Sequence, residues 1–550
     1  MGEFMDRVER LTVDLIKIPS INGTIGELEI AQFIYDYFAR NPYFQKHPEY
    51  LNLVPLDGDR LGRANVFALV KGEKGPSNKA VILHGHIDTV GVSDFGILEP
   101  YAFDPYELEK KLLEMDLPEE VRQDLLSGEW LFGRGACDMK AGVAAHMCVM
   151  DDLIKNVHSW SGNVLYMANP IEENQHTGVM DALRFLRKLK EEDGLDFVAA
   201  INNDYTSPLY PGDPKRYMYL GAVGKLLPCF YITGKETHVG QSFEGFDPSL
   251  LAAELVRRID LNVALCDEAE GEVTGPPTVL KMQDLKTHYT VQTPGAAFVY
   301  ANYFTHDIPV DRVVEQLKEV SRQAADAVTA YLDEQYRAYC ERTSTIYRPL
   351  GWKVRVMSYS ELYEEVERVV GPGLKERLRE LADELLRGGT DYRVVCMRVV
   401  EEVKKLHPDK TPTVVVFFAP PYCPHNFLRG KTPRERAVFG AVTRVASEYT
   451  EETGEEMEVK RFFPCLSDSS YLMMDDSDES VNALIGNFPQ WEQVYPVPIQ
   501  EIRRANIPAL NFGTYGKDCH KWTERVYKPF TFEALPKITL RALELLLSIE

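Results

Sequence analysis

His86 and Asp88 stand two residues apart in VILHGHIDTV, residues 81–90. The apolar, mostly β-branched run before them reads as a buried strand. A strand's period of two points both side chains the same way. An imidazole with a carboxylate beside it is how a metal-ligating histidine is commonly held, and it is equally the pattern of a core histidine in an ion pair. Four more segments bring candidates of the same kind. Asp138 closes the glycine-rich turn 133–138, Glu173 follows a strand at 164–169, Asp204 follows a strand at 197–201, and His520 follows a strand at 508–512. In open α/β sheets, sites form outside the carboxyl ends of strands, so residues far apart in the chain can converge there. Two histidines and three carboxylates suit a pair of Zn²⁺-like ions with one carboxylate bridging. Such a pair can polarise a carbonyl, acidify a shared water and stabilise a developing oxyanion. Taken singly, each residue has a structural explanation: Asp138 as a helix cap, Glu173 and Asp204 as solvated loop acids, His520 as a surface histidine. The argument lies in the conjunction.

The elements that must position these residues follow from the patterning. Helices are expected over 6–18 and 24–40, the second opening on a Thr24-x-x-Glu27 capping box. Strands at 64–70 and 80–83 are separated by turn residues. A polar insertion at 94–129 includes a helix at 118–126, and its role is not readable. Helices over 139–155 and 178–189 alternate with the strands at 164–169 and 197–201, which indicates an α/β domain with a largely parallel sheet. From about Tyr217 the order becomes β-α-β-β-α-β, a split βαβ arrangement of a small two-layer sandwich, up to a strand at 352–358. The segment 363–405 is helical and charge-rich. TVVVFFA at 413–419 is a continuous apolar strand suited to a sheet buried on both faces, and it is assigned to the first domain. The expected division is therefore 1–215, an inserted α+β domain at 216–361, and 362–550 returning to the first domain with a helical insertion at 362–412.

The 550 residues are too many for one ordinary core. An apolar share of 45% and a charged share of 26% are those of a globular protein in water. A net charge of -23 with no basic run disfavours nucleic acid and anionic membrane as partners. Nine cysteines without a CxxC pair suggest reduced thiols and a cytoplasmic location. There is no secretory signal pattern and no apolar run of membrane-spanning length.

HGHIDTV, GRGACDMKAG, the Glu172-Glu173 pair, Asp204, Gly234-x-x-x-His238 and FGTYGKDCHKWTERV together resemble the M20 family of di-zinc metallopeptidases and amidohydrolases. The length and the middle of the chain resemble a subgroup of that family linked to arginine utilisation and read as deacylases. The resemblance implies a zinc-dependent exopeptidase-like catalytic domain carrying an inserted lid and dimerisation domain. It implies two Zn²⁺ per chain, with Co²⁺ or Mn²⁺ as substitutes: His86, Asp204 and bridging Asp138 on one, Asp138, Glu173 and His520 on the other. It makes Asp88 the residue that orients His86, Glu172 the general base, and His238 the donor to the tetrahedral oxyanion. A homodimer through the inserted domain is implied, unless the helical segment 363–405 mimics a partner and leaves a monomer.

Two departures bear on substrate. Relatives often carry an Arg on the strand matching 299–306, where this chain has none, and Ser470 stands where an Arg often follows the Asp of a loop resembling 466–470. Asn302, His306 and Arg461 are candidate replacements. Cys137 and Cys519 flank proposed ligands, but a thiol nucleophile needs an activating base. The readings weighed are a hydrolase of a peptide or N-acyl amino acid, a dipeptidase or aminopeptidase-like exopeptidase, a non-catalytic metal-binding protein on the same scaffold, and a metallophosphatase. Glu172 argues against the third, because a base there serves catalysis, and the Glu172-Glu173 pair with a lone inserted-domain histidine does not suit the fourth.

Overall fold

The computed structural model describes residues 4–549. Contacts divide the chain into two units. Unit 1 comprises Met1–Ala222, Asn426–Met474 and Pro498–Glu550, and unit 2 comprises Val223–His425 and Asp475–Val497.

Unit 1 is built on an eight-stranded sheet, ordered Leu51–Pro55, Ala64–Lys71, Asn163–Asn169, Lys79–His86, Asp196–Asn202, Ala509–Asn511, Arg216–Tyr219, Met457–Lys460. Its centre is parallel: Lys79–His86 lies between Asn163–Asn169 and Asp196–Asn202, and the latter pairs with Ala509–Asn511. These are the strands that end at the candidate residues. Antiparallel pairing enters toward the edges, where Leu51–Pro55 and Ala64–Lys71 form a hairpin and Arg216–Tyr219 meets Ala509–Asn511. A short turn can join antiparallel neighbours, whereas parallel ones need a crossover. Here the helices Ala141–Lys155 and Thr177–Glu191 lie in the crossovers. The first of these helices is buried along nearly its whole length. At Gly142 a β-carbon would meet the Asn203 carbonyl oxygen at 2.5 Å, so glycine lets this helix lie against the strand end that leads into Asp204.

The insertion at 94–129 forms a small core of its own, with Phe95, Leu98, Leu108, Leu112, Val121 and Leu125 packed together. Its helices are Pro105–Leu113 and Glu119–Ser127. The expected capping box at Thr24 does not form. The helix Gly26–Ala39 lacks a side-chain cap, and Glu27 is fully buried with its carboxylate on the backbone N–H of Gly23 and of Ile171. A tertiary demand for that carboxylate outweighs the local cap.

Unit 2 contains the expected β-α-β-β-α-β order: Pro228–Thr233, Pro248–Ile259, Thr278–Asp284, Ala296–Thr305, Val310–Thr343 and Arg355–Ser358. One assignment needs correction. Thr413–Phe418 does not join the first sheet but pairs antiparallel with Pro228–Thr233 and parallel with Arg355–Ser358, inside the unit 2 sheet. A continuous apolar run suits a central strand of either sheet, so its composition does not choose between them. Consequently the helices Tyr359–Val370, Gly373–Arg387 and Tyr392–Leu406 belong to unit 2, as does 475–497. The return to unit 1 falls at Asn426, not near residue 362, and unit 2 starts at Val223, not 216.

Candidate active site

Asp138 is held between two histidines. His86 Nε2 lies 2.8 Å from Asp138 Oδ1, and His520 Nε2 lies 3.2 Å from Asp138 Oδ2. Each oxygen of one carboxylate thus faces a different imidazole, which is the disposition of a carboxylate that bridges two cations. Glu173 Oε1 lies 3.1 Å from the same His520 nitrogen. Ligand atoms of His86, Asp138 and Glu173 lie within 4.8 Å of one another. Asp204 is buried, and its carboxyl is raised to about 7 by burial first and then by repulsion from Asp138. His86, Asp138, Glu173 and His520 thus come together in unit 1, and Asp204 lies near enough to feel the charges of Asp138 and His86.

The charge balance tests whether cations fit. Four acids (Glu172, Glu173, Asp138 and Asp204) share the pocket with His86 and His520. Burial pushes Glu172 well above the ordinary carboxylate range and raises Glu173, with their acidic neighbours adding to the effect. His86 would be lowered by burial, but the carboxylates of Glu172, Asp138 and Asp88 raise it well above its usual value. His520, half exposed, is raised to about 11 by its hydrogen bonds to Asp138 and Glu173. The donors are of the types that bind Zn²⁺ and similar divalent ions, and a pair of such ions would neutralise this concentration of buried negative charge.

Backbone anchors place each donor. Lys79–His86 ends on His86, whose Nδ1 lies 3.1 Å from the Asp88 carbonyl oxygen and 3.6 Å from its carboxylate. The carbonyl, more than the carboxylate, orients the ring. The Asp88 carboxylate accepts from Asn22 Nδ2 and from the backbone N–H groups of Glu172 and Glu173. The turn 133–138 and the loop carrying His520 are tied by Glu524, a residue the sequence reading did not single out. Its carboxylate accepts from Arg134 Nη1 at 2.6 Å and from the backbone N–H groups of Cys137 and Asp138. Asp124, in the insertion, accepts from Lys517 and Arg525 on either side of His520. That contact gives the insertion a structural role. At Gly513 a β-carbon would lie 1.8 Å from the Asp204 carbonyl oxygen, so glycine is required where these two strand ends meet.

Other candidates resolve individually. His84 is buried with Nε2 3.3 Å from Ser469 Oγ. Cys519 Sγ donates to Asp138 Oδ2, and burial pushes the Cys137 thiol up to about 11, which disfavours a thiolate nucleophile. His306 is fixed by its backbone on Asp267 and by Nδ1 near the Glu272 carbonyl. Arg461 donates to the Leu428 carbonyl and lies over the Phe439 ring. Both have evident structural partners, and Asn302 sits in register with Thr278 on the unit 2 sheet. His238, exposed on unit 2, accepts the Gly240 backbone N–H at Nδ1. Its proton therefore resides on Nε2, which makes that nitrogen a donor. His176, which the sequence does not mark beyond its place four residues after Glu172, lies with Nδ1 3.1 Å from Oδ1 of Asp468, the Asp of the 466–470 loop.

Peptidase family M20/M25/M40 matches residues 82–487. The chain belongs to this family. It is 40% identical to protein RocB of Bacillus subtilis (strain 168) over 96% of this chain and 93% of that protein. It is 32% identical to protein YqjN of the same organism over 97% of this chain and 95% of that one. A tripeptidase from Staphylococcus aureus covers 100% of both chains at a TM-score of 0.52 and 13% identity, a likeness of fold. The resemblance carried by the motifs holds, and the chain is an M20-type metallohydrolase. Among the described residues no helix is long and apolar enough to cross a membrane.

Proposed function

We propose that the protein is a cytoplasmic di-zinc hydrolase that cleaves the amide bond of a small peptide or an N-acyl amino acid, with a deacylase role linked to arginine metabolism. The observation that carries this reading is the placement of Asp138, one oxygen toward His86 and the other toward His520. His86, Asp138 and Asp204 would hold one ion, and Asp138, Glu173 and His520 the other. When bound, the ions would polarise the scissile carbonyl and acidify the attacking water. Glu172 takes the proton of that water and delivers it to the leaving amine. Its burial among acids raises its proton affinity, which suits both halves of that transfer. His238, with its proton on Nε2, donates to the oxyanion. The arginine link rests on the resemblance to the arginine-utilisation subgroup.

A dipeptidase or aminopeptidase-like activity is the second reading. It is favoured by Asp, not Glu, at position 204, by analogy within the family. A screen of metal-loaded protein against N-acyl amino acids and dipeptides, arginine derivatives included, separates the two. Release of the acyl group from N-acetyl-L-arginine or its homologues supports the first, and turnover confined to dipeptides supports the second. Metal analysis after chelator-free purification is expected to give about two ions per chain, as the five-donor set requires, and Glu172→Gln is expected to retain them while turnover falls ~10²–10⁴-fold. Absence of metal, or unimpaired turnover in Glu172→Gln, rejects the proposal.

A further inference from the structure

Glu172 and Glu173 are neighbours in sequence, both carboxylates, and both face the same buried pocket. Something must keep one of them as a base while the other ligates. His176 lies on the Glu172 side. Its Nδ1 is 3.7 Å from Glu172 Oε1 and 3.1 Å from Asp468 Oδ1. All three side chains are buried, and their ligand atoms lie within 4.8 Å of one another. The ring is fixed from several directions. His176 adopts φ 55°, its backbone N–H donates to the Ile171 carbonyl at 2.8 Å, and its ring lies 5.2 Å from that of Tyr471. Asp468 is itself held in the short helical turn Asp468–Tyr471, capped by Ser467, whose Oγ also accepts from Asn202. Two segments far apart in sequence, 171–176 and 467–471, thus meet around a single imidazole nitrogen.

We propose that His176, held by Asp468, is a positioning residue that anchors Glu172 through Oε1, leaves Oε2 for the proton, and keeps Glu172 out of the metal-ligand set. This rests on the reading of Glu172 as the general base. Two carboxylates facing Nδ1 favour the tautomer with the proton on that nitrogen, and Asp468, at the shorter distance, fixes the ring so that this proton lies where Glu172 can share it. The 3.7 Å separation is long for a hydrogen bond, and contacts of catalytic groups commonly tighten only when substrate is bound. Without the anchor, a flexible Glu172 carboxylate next to Glu173 would be drawn to any cation held there. The device acts on geometry: it sets which of two adjacent acids ligates and which moves protons.

The test uses the full chain loaded with Co²⁺, whose visible absorption reports the number and kind of ligands. Wild type and Glu172→Gln are expected to give superimposable spectra; a changed spectrum in Glu172→Gln would refute the base reading itself. His176→Leu is expected to shift the spectrum as Glu172 enters the ligand set, and the double variant His176→Leu with Glu172→Gln to return it to that of wild type. His176→Asn keeps an N–H donor near the Nδ1 position and tolerates positive φ, so its spectrum is expected to match wild type. Asp468→Asn preserves shape and serves if His176→Leu does not fold; it is expected to give a smaller shift in the same direction. With a substrate found in the screen above, His176→Leu is expected to lower kcat by ~10²-fold with KM changed by less than about threefold, while His176→Asn keeps most of kcat. If the His176→Leu spectrum is unchanged, or His176→Asn behaves as His176→Leu does, the anchoring role is wrong even where Glu172→Gln has confirmed the base.

Discussion

The carboxylate of Asp88 accepts the backbone N–H of Glu172 at 3.0 Å. Its other oxygen accepts the N–H of Glu173 at 3.1 Å, and the preceding N–H, of Ile171, donates to Glu27 at 3.0 Å. Three successive N–H groups therefore point at two buried carboxylates, with Ile171 at φ 69°. This is how two adjacent glutamates bend into one pocket. Asp88 acts less as a partner of the His86 ring than as the peg around which the strand end turns.

Asp88→Asn places an amide N–H₂ or a weaker acceptor where two backbone N–H groups need a carboxylate. Loss of outer partners of metal ligands commonly costs ~10–100-fold in metal affinity. The variant is expected to lose zinc to a competing chelator at correspondingly lower chelator concentration. Wild-type zinc retention would mean the bend is fixed by other contacts.

His238→Ala is expected to lower kcat by ~10²–10³-fold, the usual cost of one oxyanion donor, while both metal sites stay filled. Equal kcat in the variant would remove this histidine from the chemistry.

Arg134 and Glu524 form a buried ion pair at 2.6 Å that also carries the N–H groups of Cys137 and Asp138. Glu524→Ala leaves the guanidinium with Asp94 and the Gly91 carbonyl. Breaking a buried pair commonly costs ~3–5 kcal/mol, so thermal unfolding is expected several degrees lower by calorimetry, together with weaker metal retention at the Asp138 turn. An unchanged melting temperature would show that this tie contributes little.

His146, fully buried in the helix Ala141–Lys155, is lowered to about 3 by burial and by the neighbouring His84. Between pH 3 and the ordinary histidine value near 6.5 the unfolded chain binds a proton here that the folded chain does not. The resulting stability is fully present above about 6.5 and is lost as pH falls toward 3, by up to ~1.4 kcal/mol per pH unit for one such group. Urea unfolding of metal-free protein at pH 7, 6 and 5 should show this decline, and His146→Met should make it shallower. Parallel pH slopes in the two proteins would reject the assignment.

The candidate donors are legible in the sequence because each follows a strand or a glycine-rich turn, and both patterns are local. It also showed the unit 2 order of strands and helices, again from local periodicity. What was hidden is tertiary. Glu27 reads as a cap residue and instead accepts the N–H of Ile171, 144 positions away. Glu524 is one acid among 84 acidic residues until its partner Arg134 is known. Thr413–Phe418 is apolar enough for either sheet, and only its pairing with Pro228–Thr233 decides the matter. His176 and Asp468 are separated by 292 positions and carry no shared motif.

The chain passes between the two units four times, after Ala222, His425, Met474 and Val497. During synthesis, His86, Asp138, Glu173 and Asp204 are all made before the first passage, and His520 only after the last. On the proposed ligand set, the nascent chain holds a cluster of acids and one histidine without His520 while the whole of unit 2 is being added. Complete metal capture would then be a late event in the life of the molecule, and any premature stop before residue 520 would yield a chain with the acids of the pocket but without the last proposed ligand.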